Sequence, residues 1–139
     1  MRVKVMAIQT LYRAGKYRWL LLHGEFRSFS GDLGIQQPLD YREEPIPEYS
    51  MEEKRAIYTI AWVVDHVCSK TPWKSECLVR AFCAKQLLKK AGIPCTIYMG
   101  VAVDPKEGMI AHAWTTCGAY YVTGEGGHEK YAVTTIFHS

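Results

Sequence analysis

Helices first and strands afterwards make this an α+β chain, with N-terminal helices and a central helix packed on an antiparallel sheet of about four strands. Two observations carry that assignment. As far as Ala91, apolar residues recur at helical spacing. From Cys95 onward, β-branched and aromatic residues alternate in short runs divided by Gly- and Asp-containing turns. Segregation of the two types, rather than alternation, places the helices on one face of an antiparallel sheet.

Residues 2–14 set Val3, Met6, Ala7, Thr10, Leu11 and Ala14 on one helical face, and Gly15 ends or bends that helix. Lys16 to Phe29 reads as a second helix or an irregular extension broken at Gly24. The stretch from Gly31 to Tyr49, with Gly34, Pro38, Pro45 and Pro47, reads as a long surface loop. Ser50 is placed as an N-cap, with Glu52 and Glu53 in the first turn of a helix running to about Cys68.

After the breaker Thr71-Pro72, a helix of about four turns carries Leu78, Val79, Ala81, Phe82, Cys83, Ala84, Leu87 and Leu88. It is apolar nearly all round at its start, so it is expected to be buried. Gly92-Ile93-Pro94 closes it, with Lys89 and Lys90 in the last turn. Four strands follow: Cys95–Val103, Met109–Thr116, Ala119–Thr123 and Tyr131–Phe137. Cys117-Gly118 is read as a two-residue hairpin turn, which sets Thr123 opposite His112.

Composition narrows the function. The 139 residues are read as one domain, with 1–50 an N-terminal helical and loop region and 51–139 a catalytic core. The net charge of +3 comes without a clustered basic stripe, which argues against a nucleic-acid binder. Five irregularly spaced cysteines, with no Cys-x-x-Cys pair, suggest neither a disulfide framework nor zinc, and no cofactor is implied. Reduced thiols fit a cytoplasmic protein. Trp19-Leu20-Leu21-Leu22 is far too short to span a bilayer, so no stable membrane insertion is expected.

Cys77 falls in the first turn of the central helix, where unpaired amides and the positive dipole end favour a thiolate and lower the thiol pKa. Taken alone, a cysteine in such a helix is more often a small buried hydrophobe than a nucleophile. Ala111-His112-Ala113-Trp114, on the second strand, supplies the histidine that a thiol nucleophile needs.

The motifs Cys77-Leu78-Val79-Arg80-Ala81, Leu87-Leu88-x-x-x-Gly92-Ile93-Pro94, Gly100-Val101, Ala111-His112-Ala113-Trp114, Val122-Thr123-Gly124 and Tyr131-x-Val133 recur in one order. Together they resemble the transglutaminase-like leader peptidases of lasso-peptide biosynthesis, most densely over residues 71–137. The resemblance implies a cysteine protease that removes the leader from a ribosomally made precursor peptide, with Cys77 as nucleophile and His112 as base. It implies as partners the precursor's leader peptide, a separate leader-recognition protein and the macrolactam-forming cyclase.

The family usually orients its base with an Asp at the end of the following strand. Here that stretch is Tyr121-Val122-Thr123-Gly124-Glu125 and holds none. Glu125 and Thr123 are the alternatives, and Asp104 a weaker one. The Cys77 amide is an expected oxyanion donor, with the Trp73 indole as a speculative second. The rival readings are an acyltransferase of the same superfamily and a peptide-binding module without catalysis.

Overall fold

The computed structural model describes residues 3–71 and 76–139. The first helix, α1 (Val3–His23), runs straight through Gly15 rather than ending there. One interior glycine costs about 1 kcal/mol in a helix, and the packing beyond it outweighs that cost. Tyr17 stacks on Phe82 at 4.2 Å between ring centroids, and its hydroxyl donates to the Asp32 carboxylate at 2.7 Å. The helix stops at His23, and a short helical turn, α2 (Phe26–Phe29), follows.

The expected loop after Gly31 contains a strand, β1 (Ile35–Gln37), which pairs antiparallel with the last strand of the chain. Three residues are too few to show a period, so only their partner reveals them. Helix α3 (Met51–Cys68) opens with a reciprocal cap: Glu53 N–H donates to the Ser50 hydroxyl and Ser50 N–H to the Glu53 carboxylate.

The central helix, α4 (Cys77–Lys90), ends where the sequence indicates. Gly92 takes φ +73°, Ile93 N–H reaches the Leu88 carbonyl at 2.9 Å and Gly92 N–H the Lys89 carbonyl at 3.1 Å. Val79, Phe82, Leu87 and Leu88 are fully enclosed between α1, α3 and the sheet. Burying each such side chain contributes roughly 1.5–3 kcal/mol.

Strands β2 (Thr96–Asp104), β3 (Gly108–Cys117), β4 (Tyr120–Thr123) and β5 (Ala132–His138) join β1 in one antiparallel sheet, ordered β1-β5-β2-β3-β4. The sheet thus has five strands rather than about four. After β4 the chain crosses to the far side of β2, so β5 does not extend the meander. Ile97, Cys117, Val122 and Phe137 face the helices. The opposite, outer face carries Tyr98, His112 and Trp114.

The β3–β4 hairpin also differs from the expected register. Gly118 and Ala119 form the turn, with Gly118 at φ +55°, and Cys117 pairs with Tyr120. A bulge at Val122 then sets Thr123 opposite Thr115 instead of His112. The bulge breaks the alternation, so the consecutive residues Val122 and Thr123 are both buried.

No helix among the described residues is long and apolar enough to cross a membrane.

Candidate active site

Glu76 gives α4 no side-chain cap, and Arg80 N–H closes the first helical hydrogen bond onto the Glu76 carbonyl. The amides of Cys77 and Leu78 therefore remain for another acceptor. Both donate toward the Cys77 sulfur, as does the backbone N–H of Ala113. Ala113 is the residue after His112, and β4 pairs only with Thr115–Cys117, so β3 presents this amide along an uncovered stretch of its edge. The thiol of α4 is thereby seated on the strand that carries the histidine.

The expected lowering of the Cys77 thiol does not hold in this arrangement. Burial is the largest influence and raises its pKa, the Glu76 charge adds to that rise, and the three amides offset only part of it. The resting group is a half-buried neutral thiol, which needs a base before it can attack.

His112 is held by three neighbours. Its Nε2–H donates to the Gly124 carbonyl at 2.6 Å, which fixes the tautomer and leaves Nδ1 as the acceptor. The Tyr131 ring lies 5.0 Å away and the Trp114 ring 5.7 Å away. Among the described residues no hydrogen bond joins His112 to Cys77, so the two are neighbours through Ala113 rather than a bonded pair. In free enzymes such hydrogen bonds are often long and tighten only once substrate is bound.

Two glycines make this geometry. A Cβ on Gly124, which sits at φ +72°, would collide with the Ala113 carbonyl and come within 2.9 Å of Trp114 Cβ. Gly100 pairs with His112 across β2 and β3, and a Cβ there would lie 2.8 Å from the Ala132 carbonyl and 3.1 Å from Tyr131 Cβ. Without a side chain at Gly100, Tyr131 covers His112.

The three residues considered for orienting the base lie elsewhere. The Thr123 hydroxyl is buried and donates to the Thr115 hydroxyl at 2.9 Å. Glu125 is exposed, and it is its carbonyl that is engaged, accepting from His128 N–H at 3.2 Å and from His128 Nδ1 at 2.7 Å. Asp104 closes the β2–β3 turn by accepting from the amides of Lys106 and Glu107, both at 2.9 Å, which also holds its carboxyl below the usual range. It pairs with Gly108, at the far end of the hairpin from His112. Trp73 lies outside the described residues. The group that sequence reasoning missed is the Gly124 carbonyl, whose only signal was a glycine directly after a strand.

The structure thus sets a cysteine at a helix start against a sheet strand that carries a histidine. Residues 20–136 match the transglutaminase-like superfamily. The chain belongs to that superfamily. Comparison with curated proteins and with solved structures finds no match. The superfamily typically has a cysteine-type catalytic domain and includes both cysteine proteases and acyltransferases. This transglutaminase-like chain departs from the usual pattern in supplying a backbone carbonyl, not a carboxylate, to its histidine.

Proposed function

We propose that this transglutaminase-like protein is a cysteine peptidase that removes the leader from a ribosomally made lasso-peptide precursor. One observation carries the chemistry: the Cys77 thiol, cradled by three amides, abuts the residue next to a histidine whose Nδ1 is free to accept. The substrate class rests on the motif order given above.

In this reading Cys77 Sγ attacks the carbonyl at the leader–core junction as its proton passes to His112 Nδ1. The first-turn amides of α4 stabilise the oxyanion. The imidazolium then protonates the leaving amine of the core peptide as the C–N bond breaks, leaving a thioester on Cys77. Water, deprotonated by His112, attacks that thioester and releases the leader carboxylate and the free thiol.

The reading includes a separate leader-recognition protein that delivers the precursor, with the cyclase acting on the freed amine. The outer surface of α1 supports a partner. Ile8, Tyr12 and Trp19 are 68%, 71% and 60% exposed, and with Val5 and Leu22 they form a seam whose members are three, four, seven and three residues apart.

The test is to incubate the protein with the precursor peptide from its own gene neighbourhood and read the product masses. Leader and core fragments are expected, and none with Cys77→Ala. Cleavage by the folded Cys77→Ala protein would remove the proposal, and a product joined to an added amine would favour acyl transfer.

A further inference from the structure

Helix α3 and strand β4 leave a seam between them that this mechanism does not use. At one end it opens into a hollow of about 480 Å³, where the buried Ile57 and half-buried Ala61 meet Tyr120 and Tyr121. The exposed Tyr58, Lys54 and Arg55 also border it. Farther along the same two elements a recess of about 120 Å³ lies among Val64, Asp65, Val122 and Gly124, with Arg80 of α4 against it. The seam therefore ends beside the candidate site. The Gly124 carbonyl holds His112, and Arg80 stands three residues along α4 from Cys77, about 5 Å.

Strand β4 is also an outermost strand of the sheet. Among the described residues no strand pairs with its free edge. Cys117 and Tyr120 flank the two-residue turn and face each other in the ladder, so by alternation Tyr121 turns its N–H and C=O outward. An unpaired edge beside an apolar groove suits an extended peptide, with its main chain on the strand and its side chains in the groove.

We infer that an extended stretch of the peptide substrate lies in this seam as an added strand on β4, with an apolar side chain over Ile57 and Ala61 and acidic neighbours toward Lys54 and Arg55. The inference rests on the peptidase reading for the identity of that peptide. Charge selects the neighbours, because Lys54 and Arg55 border the larger hollow and no carboxylate among the described residues does. A second copy docked on the same hollow would set cation against cation. Position follows from the strand: Tyr121 and Gly124 are three residues apart, about 10 Å. The apolar side chain therefore belongs to a residue roughly three or four positions from the bond that is cut.

The experiment reads binding without cleavage. N-acetyl-Glu-Leu-Glu-Leu-Glu amide is titrated into the Cys77→Ala protein while backbone amide resonances are followed by NMR. Saturable shifts are expected at Tyr58, Ala61 and Tyr121. The Lys-Leu-Lys-Leu-Lys and Glu-Ser-Glu-Ser-Glu counterparts should each bind about tenfold more weakly. Methylating the backbone amides of the leucines, or of the glutamates instead, should weaken binding about three- to tenfold for one set and little for the other, as pairing on a single edge requires. Lys54→Glu with Arg55→Glu should invert the preference between the Glu and Lys peptides. In cleavage of the precursor the same double variant should raise KM about three- to tenfold with kcat unchanged.

No shifts, equal binding of the three peptides, equal tolerance of both methylated sets, or an unchanged preference in the double variant would each overturn the groove. So would a dimer in solution that the double variant disperses, which would make a second copy the occupant. Peptide binding here without any cleavage leaves the groove and removes the peptidase reading. Cys77-dependent cleavage with KM unmoved by the double variant removes the groove alone.

Discussion

His112 Nε2 donates its proton to the backbone carbonyl of Gly124 at 2.6 Å, in the place where the resembled family usually sets a carboxylate. A carbonyl fixes the ring's tautomer as a carboxylate does, but carries no full charge that would stabilise an imidazolium. The His112 ring in this protein is positioned by main chain.

The orienting group can be tested by substitution. Glu125→Gln should leave turnover within about twofold, because its carboxylate is exposed and only its carbonyl is engaged. Thr123→Val should lower stability by about 1–3 kcal/mol through loss of the buried Thr123–Thr115 hydrogen bond, with kcat unchanged. Gly124→Ala should lower kcat about 10²-fold or more, because its Cβ displaces the carbonyl that holds His112. Thermal melts alongside single-turnover cleavage separate these outcomes. A large kcat loss in Glu125→Gln would return the role to the carboxylate.

Alkylation provides a second test. Cys77 is half-buried while Cys68, Cys83, Cys95 and Cys117 are buried, so iodoacetamide should modify Cys77 first. Because burial raises its pKa, the labelling rate in the free protein should climb only through the alkaline range. Mass mapping at a series of pH values checks both points. Fast labelling at neutral pH would mean that the thiolate is already formed at rest.

Alkaline pH should unfold the protein. Burial pushes the Cys95 thiol from its ordinary 9.0 up to about 11 and the Tyr49 phenol from 10.0 up to about 12. Between pH 9 and 11 the unfolded chain releases the Cys95 proton while the folded chain keeps it. The stability present below pH 9 is therefore lost as pH rises toward 11, at up to about 1.4 kcal/mol per pH unit for this thiol. Urea midpoints measured at pH 8, 9 and 10 should fall in that order. A Cys95→Ala protein should show a shallower fall.

Delivery of the precursor by a separate protein predicts a kinetic signature. The isolated chain should cleave full-length precursor slowly, and the recognition protein should lower the apparent KM with little change in kcat, since tethering raises effective concentration. Tyr12→Glu together with Trp19→Glu on the exposed seam of α1 should abolish the acceleration and leave the basal rate. Equal rates with and without the recognition protein would remove the partner from the reading.

Much of this molecule is legible in its residues because the governing interactions are local. The Ser50–Glu53 cap, the Gly92 ending of α4 and the alternation of β2 and β3 each depend on neighbours within a few positions. The expectation of Cys77 in a first turn and His112 on a strand came from the same kind of signal.

What the tertiary structure decided depended on pairs distant in sequence. Strand β1 exists only because β5 offers it an edge, and α1 crosses Gly15 because Tyr17 stacks on a ring that follows it by more than half the helical region. The bulge at Val122 turned Thr123 from His112 to Thr115 and brought the Gly124 carbonyl to the imidazole. No periodicity encodes a bulge, since one extra residue in a ladder is settled by the partner strand. Likewise the sign of the Cys77 shift followed from burial, which belongs to the assembled sheet and helices rather than to a helix terminus alone.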